Sequence, residues 1–247
     1  MKSHPFNLRL SCQQKRQLQK WMAPGWILAF LICLSPLAAA KPNAMTIERE
    51  YQILAPYQSQ ITQRLNSVST LIEQIVKQLK QQSLPIDLAL VPMLESSYNP
   101  KAISHANAAG LWQLIPATAT RFGLNVTKVQ DQRFDTQAST QAALAYFTFL
   151  YTKFEQDMAL TLAAYNSGEG RVAKAIKAAG SNDFNALTLP KETQQYVSRF
   201  YALQQLVDVQ RFQTETFQPL QLFSSSPQVA KQPLINLDRL PPLITLN

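Results

Sequence analysis

Three short segments hold the residue types that acid–base chemistry on a glycan needs. The first is Leu94-Glu95-Ser96-Ser97-Tyr98-Asn99-Pro100, where a carboxylic acid stands at the end of an apolar helical run, just before a turn. Cleaving a glycosidic bond requires a proton on a poor leaving oxygen. An ordinary glutamate, with a pKa of about 4.3, is ionised at neutral pH. Burial favours its neutral form, and the partial negative charge of a helix C-terminus pushes the same way. Glu95 is therefore a candidate general acid, tuned towards a pKa of about 6. Taken alone, the segment also reads as a carboxylate exposed at a helix end.

The second segment is Gly110-Leu111-Trp112-Gln113. An aromatic wall beside a fixed amide suits a sugar, which has apolar faces and hydroxyl edges; Trp112 also reads as a core tryptophan, and the two readings can coexist. The third is Ala163-Ala164-Tyr165-Asn166-Ser167-Gly168, which ends a buried helix and aims polar groups at whatever lies beyond it. Asn166 also reads as a plain helix terminator. Ser96 and Ser97 serve Glu95, a sugar or the local backbone. A serine nucleophile would have to use His105, and no G-x-S-x-G elbow surrounds either serine. Gly168-Glu169-Gly170 is too short for a phosphate loop. By pattern alone Tyr196 belongs to the core face of a helix.

The elements that position these groups are helices. Ile61, Leu65, Val68, Ile72, Ile75, Val76 and Leu79 form one apolar face, so Thr46 to Gln82 reads as helical with a break at Pro56. Pro85 suits the first turn of the next helix. Ile86 to Leu94 is apolar nearly all round, with a kink expected at Pro92. Lys101 to Ile115 lacks helical periodicity and reads as a loop or small β-ribbon with turns at Asn107 and Gly110. Further helices are expected over Pro116 to Phe122, from an Asp135 cap to Phe154, from an Asp157 cap to Asn166, over Arg171 to Ala179, and from Pro190 through Tyr196, Phe200, Leu203 and Val207. The fold class is mainly α, a helical domain with at most a small β-ribbon beside its cleft.

Composition narrows the classes. Hydrophobic residues make up 46% and charged residues 15% of the 247, so a buried core is feasible. Residues 1–40 read as a secretory signal peptide: a basic leader, a short apolar run from Trp26 to Leu37, and Ala38-Ala39-Ala40. An uncleaved N-terminal anchor is the alternative. The leader holds five of the net eight positive charges, leaving about +3, which makes nucleic acid an unexpected partner. Cys12 and Cys33 lie in the leader and His105 is the one histidine after it, so no multi-ligand metal site is expected. Residues 41–83 read as an N-terminal helical extension, 84–207 as the catalytic domain, and 208–247 as a Pro-rich extended tail with a few docking hydrophobes.

Taken in order, Glu95-Ser96, Gly110-Leu111-Trp112-Gln113, Ala164-Tyr165-Asn166-Ser167-Gly168-Glu169-Gly170-Arg171-Val172 and Leu189-Pro190-Lys191-Glu192-Thr193-Gln194-Gln195-Tyr196-Val197 resemble the family 1 lytic transglycosylases. The likeness is greatest to the membrane-bound lytic murein transglycosylase D subgroup. It implies a lysozyme-like fold around a glycan cleft. It implies cleavage of peptidoglycan strands between N-acetylmuramic acid and N-acetylglucosamine, without metal or cofactor. Glu95 matches the single acid/base, Ser96 the serine beside it, Gln113, Tyr165 and Asn166 the cleft residues, and Tyr196 the tyrosine of the last helix. Members of the subgroup usually carry LysM modules and some relatives a lipid anchor. Neither is recognisable here, so a soluble periplasmic enzyme is expected, with weaker wall affinity or affinity supplied by a partner protein. A goose-type muramidase and a non-catalytic wall-binding protein are the alternatives.

Overall fold

The structure is a computed structural model and describes residues 41–213. The expected leader and most of the Pro-rich tail lie outside the described residues. Within them the fold is helical, with three isolated antiparallel bridges and no β-strand.

Helix α1 (Ala44–Leu54) starts at Asn43, whose side chain accepts from the Met45 N–H. Pro56 ends it in a 3-10 turn, Ala55–Tyr57, as expected. The following stretch is two helices, α2 (Gln58–Ser67) and α3 (Ser69–Gln81), because Val68 leaves helical geometry at φ −121° and ψ 20°. The apolar face nevertheless runs on: Ile61, Leu65, Ile72, Ile75, Val76 and Leu79 are buried.

The expected kinked helix over 86–94 is a change of helix type. Ile86–Leu90 winds as a 3-10 turn after Pro85, and α4 (Val91–Ser96) begins anew. Pro92 lies in the first turn of α4, where no N–H is needed, so it starts a helix where a kink was expected. From Lys101 to Ile115 the chain makes the bridges Ile103 to Ala109 and Ala109 to Leu114, a ribbon too short for strands. A short α5 (Pro116–Arg121) ends before Gly123.

Asp135 accepts from the N–H groups of Gln137 and Ala138 to start α6 (Thr136–Lys153), and Asp157 accepts from Leu160 to start α7 (Met158–Ser167). Helix α7 is apolar all round and is the core helix: Ala159 to Ala164 are buried, and α6, α8 (Glu169–Ala179) and α9 (Lys191–Leu206) pack on it. Helix α8 starts two residues earlier than its apolar pattern suggests. Helix α9 buries Tyr196, Phe200 and Leu203, and α1 lies along it. The 41–83 helices are thus packed into the unit they precede in sequence. Val209–Phe212, at the start of the expected tail, forms a 3-10 turn with Val209 and Phe212 buried.

Candidate active site

The chain turns sharply just after the candidate acid. Ser97 and Tyr98, at φ 49° and 60°, are consecutive left-handed residues, although neither is glycine. Such positions cost about 1–2 kcal/mol each and need outside support. Here the Tyr98 N–H closes on the Pro92 carbonyl at 3.0 Å, and the buried Tyr98 hydroxyl donates to the Ala89 carbonyl. Arg64 of α2 donates from Nε to the Ser97 carbonyl at 2.7 Å and from Nη2 to that of Tyr98 at 3.3 Å.

This turn leaves Glu95 partly buried, still reached by solvent, with Tyr196 beside it. The Tyr196 hydroxyl donates to Glu95 Oε1 at 2.6 Å. Removal from water raises the carboxyl from 4.5 to about 7, the negative charge of Glu192 adds to the rise, and the Tyr196 hydrogen bond opposes it. Burial holds the Tyr196 and Tyr165 phenols well above 10, and Glu95 adds to that, so both stay neutral donors. Near neutral pH Glu95 can therefore both release and accept a proton.

Of the other expected site residues, Tyr165 lies within reach of the charge of Glu95, and Ser96, Tyr165 and Gln113 are tied to backbone carbonyls. Ser96 is buried, and its hydroxyl lies 2.8 Å from the Leu111 carbonyl and 3.2 Å from that of Pro92. It is a strut between α4 and the 110–113 loop, so its hydroxyl is turned inward. Tyr165 stacks on Phe147, ring centroids 4.3 Å apart and planes 7° from parallel, and its hydroxyl donates to the Trp112 carbonyl at 2.7 Å. Gln113, at φ 46°, donates from Nε2 to the carbonyls of Gly110 at 2.8 Å and Ala102 at 3.2 Å. Asn166 is half-buried at the end of α7, and no hydrogen bond of its amide is found among the described residues.

One reading needs correction. Trp112 is no cleft wall: it is 0% exposed, edge-on to Phe147, and its Nε1 donates to Thr140 Oγ1 at 3.0 Å. His105 is exposed on the 101–115 loop, and among the described residues no hydrogen bond joins it to a serine.

The loop's anchor was missed. Arg133 is buried, pairs with Asp131 at 2.6 Å, and donates from Nη1 to the carbonyls of Asn107 at 2.6 Å and Leu114 at 3.2 Å. That guanidinium holds the Asp131 carboxyl below its ordinary value of 3.8. Gly110 must be glycine. At φ +79° its backbone presses on Arg133 so closely that a Cβ would lie 1.9 Å from the Arg133 carbonyl oxygen. Glu192 was also missed: half-buried in the first turn of α9, it has its carboxyl raised by burial, an effect that Arg171 counters. A third omission joins α1 to α9. Glu50 Oε2 lies 2.8 Å from Arg199 Nε and Nη2, with both side chains buried.

The Transglycosylase SLT domain model matches residues 74–188. The chain is 50% identical over 137 residues to membrane-bound lytic murein transglycosylase D of Escherichia coli K12, covering 54% of this chain and 30% of that protein. It is 33% identical over 116 residues to the soluble lytic murein transglycosylase of the same strain, covering 44% of this chain and 18% of that protein. Among solved structures, the 70 kDa soluble lytic transglycosylase from Escherichia coli matches with a TM-score of 0.48 at 24% identity, over 56% of this chain and 24% of that one. The chain thus spans less than a third of the length of these relatives, at 30% and 18%. The matched segment, which carries the Glu95 turn, the Gly110 loop and the end of α7, is similar to the Transglycosylase SLT domain.

Proposed function

We propose that this chain is an exported, periplasmic lytic transglycosylase that cuts peptidoglycan strands between N-acetylmuramic acid and N-acetylglucosamine. One observation carries the reading. Glu95 is a carboxyl that burial raises to about 7 while a neutral phenol steadies it, so both of its protonation states are within reach at neutral pH. The matched relatives, named as lytic murein transglycosylases, supply the substrate class.

Protonated Glu95 gives its proton to the glycosidic oxygen as that bond to the muramoyl anomeric carbon breaks. The muramoyl C6 hydroxyl then bonds to the anomeric carbon and gives its proton to the Glu95 carboxylate. The products are a 1,6-anhydromuramoyl end and a free N-acetylglucosamine 4-hydroxyl. No water is consumed, and Glu95 ends protonated as it began. Tyr196 holds the carboxylate by a hydrogen bond in the middle of this cycle. Asn166 and the free carbonyl side of Gln113 meet sugar hydroxyls and amides, while Ser96 and Tyr165 hold the backbone on which those groups stand.

Mass spectrometry of sacculi digested by the protein tests this. Anhydromuramoyl products that vanish with Glu95→Gln are expected. Reducing muramoyl ends would overturn the intramolecular attack in favour of a muramidase. A folded protein that releases nothing would point to wall binding alone.

A further inference from the structure

The family match begins at residue 74, inside α3, yet the helices before it hold both halves of the Glu95–Tyr196 pair. On the acid's side, Arg64 of α2 bonds the carbonyls of Ser97 and Tyr98, the two left-handed residues that turn the chain after Glu95. On the phenol's side, α1 lies along α9 and meets it through two polar ties. Glu50 pairs with Arg199, and Thr46 Oγ1 stands 3.1 Å from Ser198 Oγ. Ser198 and Arg199 lie within one turn of Tyr196.

The Glu50–Arg199 pair is an odd choice for stability alone. Both side chains are buried, and among the described residues Glu50 Oε1 and Arg199 Nη1 have no hydrogen-bond partner, although Arg49 Nη2 approaches Oε1 to 3.5 Å. Apolar residues in such places are often as stable or more so. What an ion pair adds is register, because two apolar helix faces tolerate a small slide that a two-pronged guanidinium–carboxylate contact does not. A slide of α9 by a fraction of an ångström would lengthen the 2.6 Å bond from Tyr196 to Glu95.

We propose that α1 and α2 form a positioning clamp that fixes the hydrogen bond between Tyr196 and Glu95, so that residues 44–67 are part of the catalytic unit. Its functional meaning rests on Glu95 being the acid of the reaction proposed above. Arg64, Glu50 and Arg199 are positioning residues, acting through the turn at Ser97 and through Tyr196.

The test compares the full chain with Arg64→Met and with the paired change Glu50→Met and Arg199→Met, each also in a Tyr196→Phe background. The first readout is the titration of Glu95 followed by carbon NMR of its carboxyl, which needs no turnover. The groups acting on that carboxyl are Tyr196 and Glu192 of α9 and Tyr165 of α7, and Arg171 of α8 acts on Glu192. A hydrogen bond donated to a carboxylate favours the ionised form. Its loss in Tyr196→Phe therefore raises the midpoint, by about one pH unit. The clamp variants should raise it in the same direction, keep a cooperative thermal transition, and add nothing further in the Tyr196→Phe background. The second readout is glycan cleavage against pH, whose alkaline limb should move with the midpoint. An unmoved midpoint in folded clamp variants, or an equal shift with and without Tyr196, would overturn the clamp. If the paired variant does not fold, Arg64→Met, at a half-exposed position, decides. A parent protein that titrates as expected but cuts no glycan would remove the reaction and leave the clamp standing.

Discussion

Replacing Glu95 by glutamine is expected to make the protein more stable while abolishing its chemistry. Burial raises the folded carboxyl from 4.5 to about 7. Below pH 4.5 the group is protonated in both the folded and the unfolded chain, and it contributes no difference. Between those values the unfolded chain has released the proton and the folded chain still holds it, so stability falls as the pH rises. Above pH 7 both are ionised and the full penalty stands. At about 1.4 kcal/mol per unit the interval is worth ~3.4 kcal/mol, and the partial exposure of Glu95 trims this to about 2–3 kcal/mol. Glutamine keeps the shape and still accepts from Tyr196, but it carries no charge. Urea unfolding of the two proteins from pH 4.5 to 8.5 should give curves that meet at the acid end and part by about 2–3 kcal/mol at the alkaline end. Parallel curves would mean that Glu95 titrates like an exposed carboxylate. Glu95 would then hold no proton near neutral pH, whatever the activity.

Gly110→Ala should lower the thermal midpoint by roughly 10 °C, since about 3 kcal/mol or more is lost where a Cβ meets the Arg133 carbonyl; a shift of a degree or two would contradict the packing described. Trp112→Phe should cost about 1–2 kcal/mol through the lost bond to Thr140 while leaving the KM for glycan unchanged. A raised KM at constant stability would restore Trp112 as a sugar-facing residue. Arg133→Met should speed proteolysis within 101–115, because the Asn107 and Leu114 carbonyls lose their donor. It should also shift the acid response. The Asp131 pair stabilises the fold above pH 3.8 and loses that effect as the pH falls through its lower folded value, so parent and variant should draw together in acid. Equal acid sensitivity at a fixed stability gap would refute that assignment.

Helix spacing in the sequence was legible where one face is apolar, as along Ile61 to Leu79 and along Tyr196, Phe200 and Leu203. It was less so where backbone geometry decides. The break at Val68 leaves the apolar face continuous, so periodicity cannot register it. Pro92 reads equally as a kink or as a helix start, and only the 3-10 turn before it settles which. Glu95 stood out because an acid at the end of an apolar run is unusual. Its partner Tyr196 could not be told from core by pattern, because it is core: it is buried, and its hydroxyl alone reaches the carboxylate. Trp112 failed in the opposite direction, since the aromatic type suited a sugar while its neighbours enclose it. One signal was available and passed over. Glu50 shares a helix face with Ile47 and Leu54, and Arg199 lies on the buried side of the last helix with Tyr196 and Leu203. Opposite charges on two apolar faces are the mark of a buried pair. Arg133 and Asp131 gave no comparable sign, because their work is done on loop carbonyls that no side-chain pattern predicts.

The distances along the chain carry a consequence for how the molecule is made. Tyr196 is 101 residues from Glu95, and Arg199 is 149 from Glu50. Closing a loop of the first length costs on the order of 4 kcal/mol of chain entropy, and nothing repays it until α9 docks. Contacts so remote in sequence form late and slow the folding of the whole. A chain still being synthesised, with α9 not yet made, holds the acid but not its phenol, and α1 has no helix to lie along. The hydrogen bond that steadies Glu95 therefore arrives only with α9, the last long helix among the described residues.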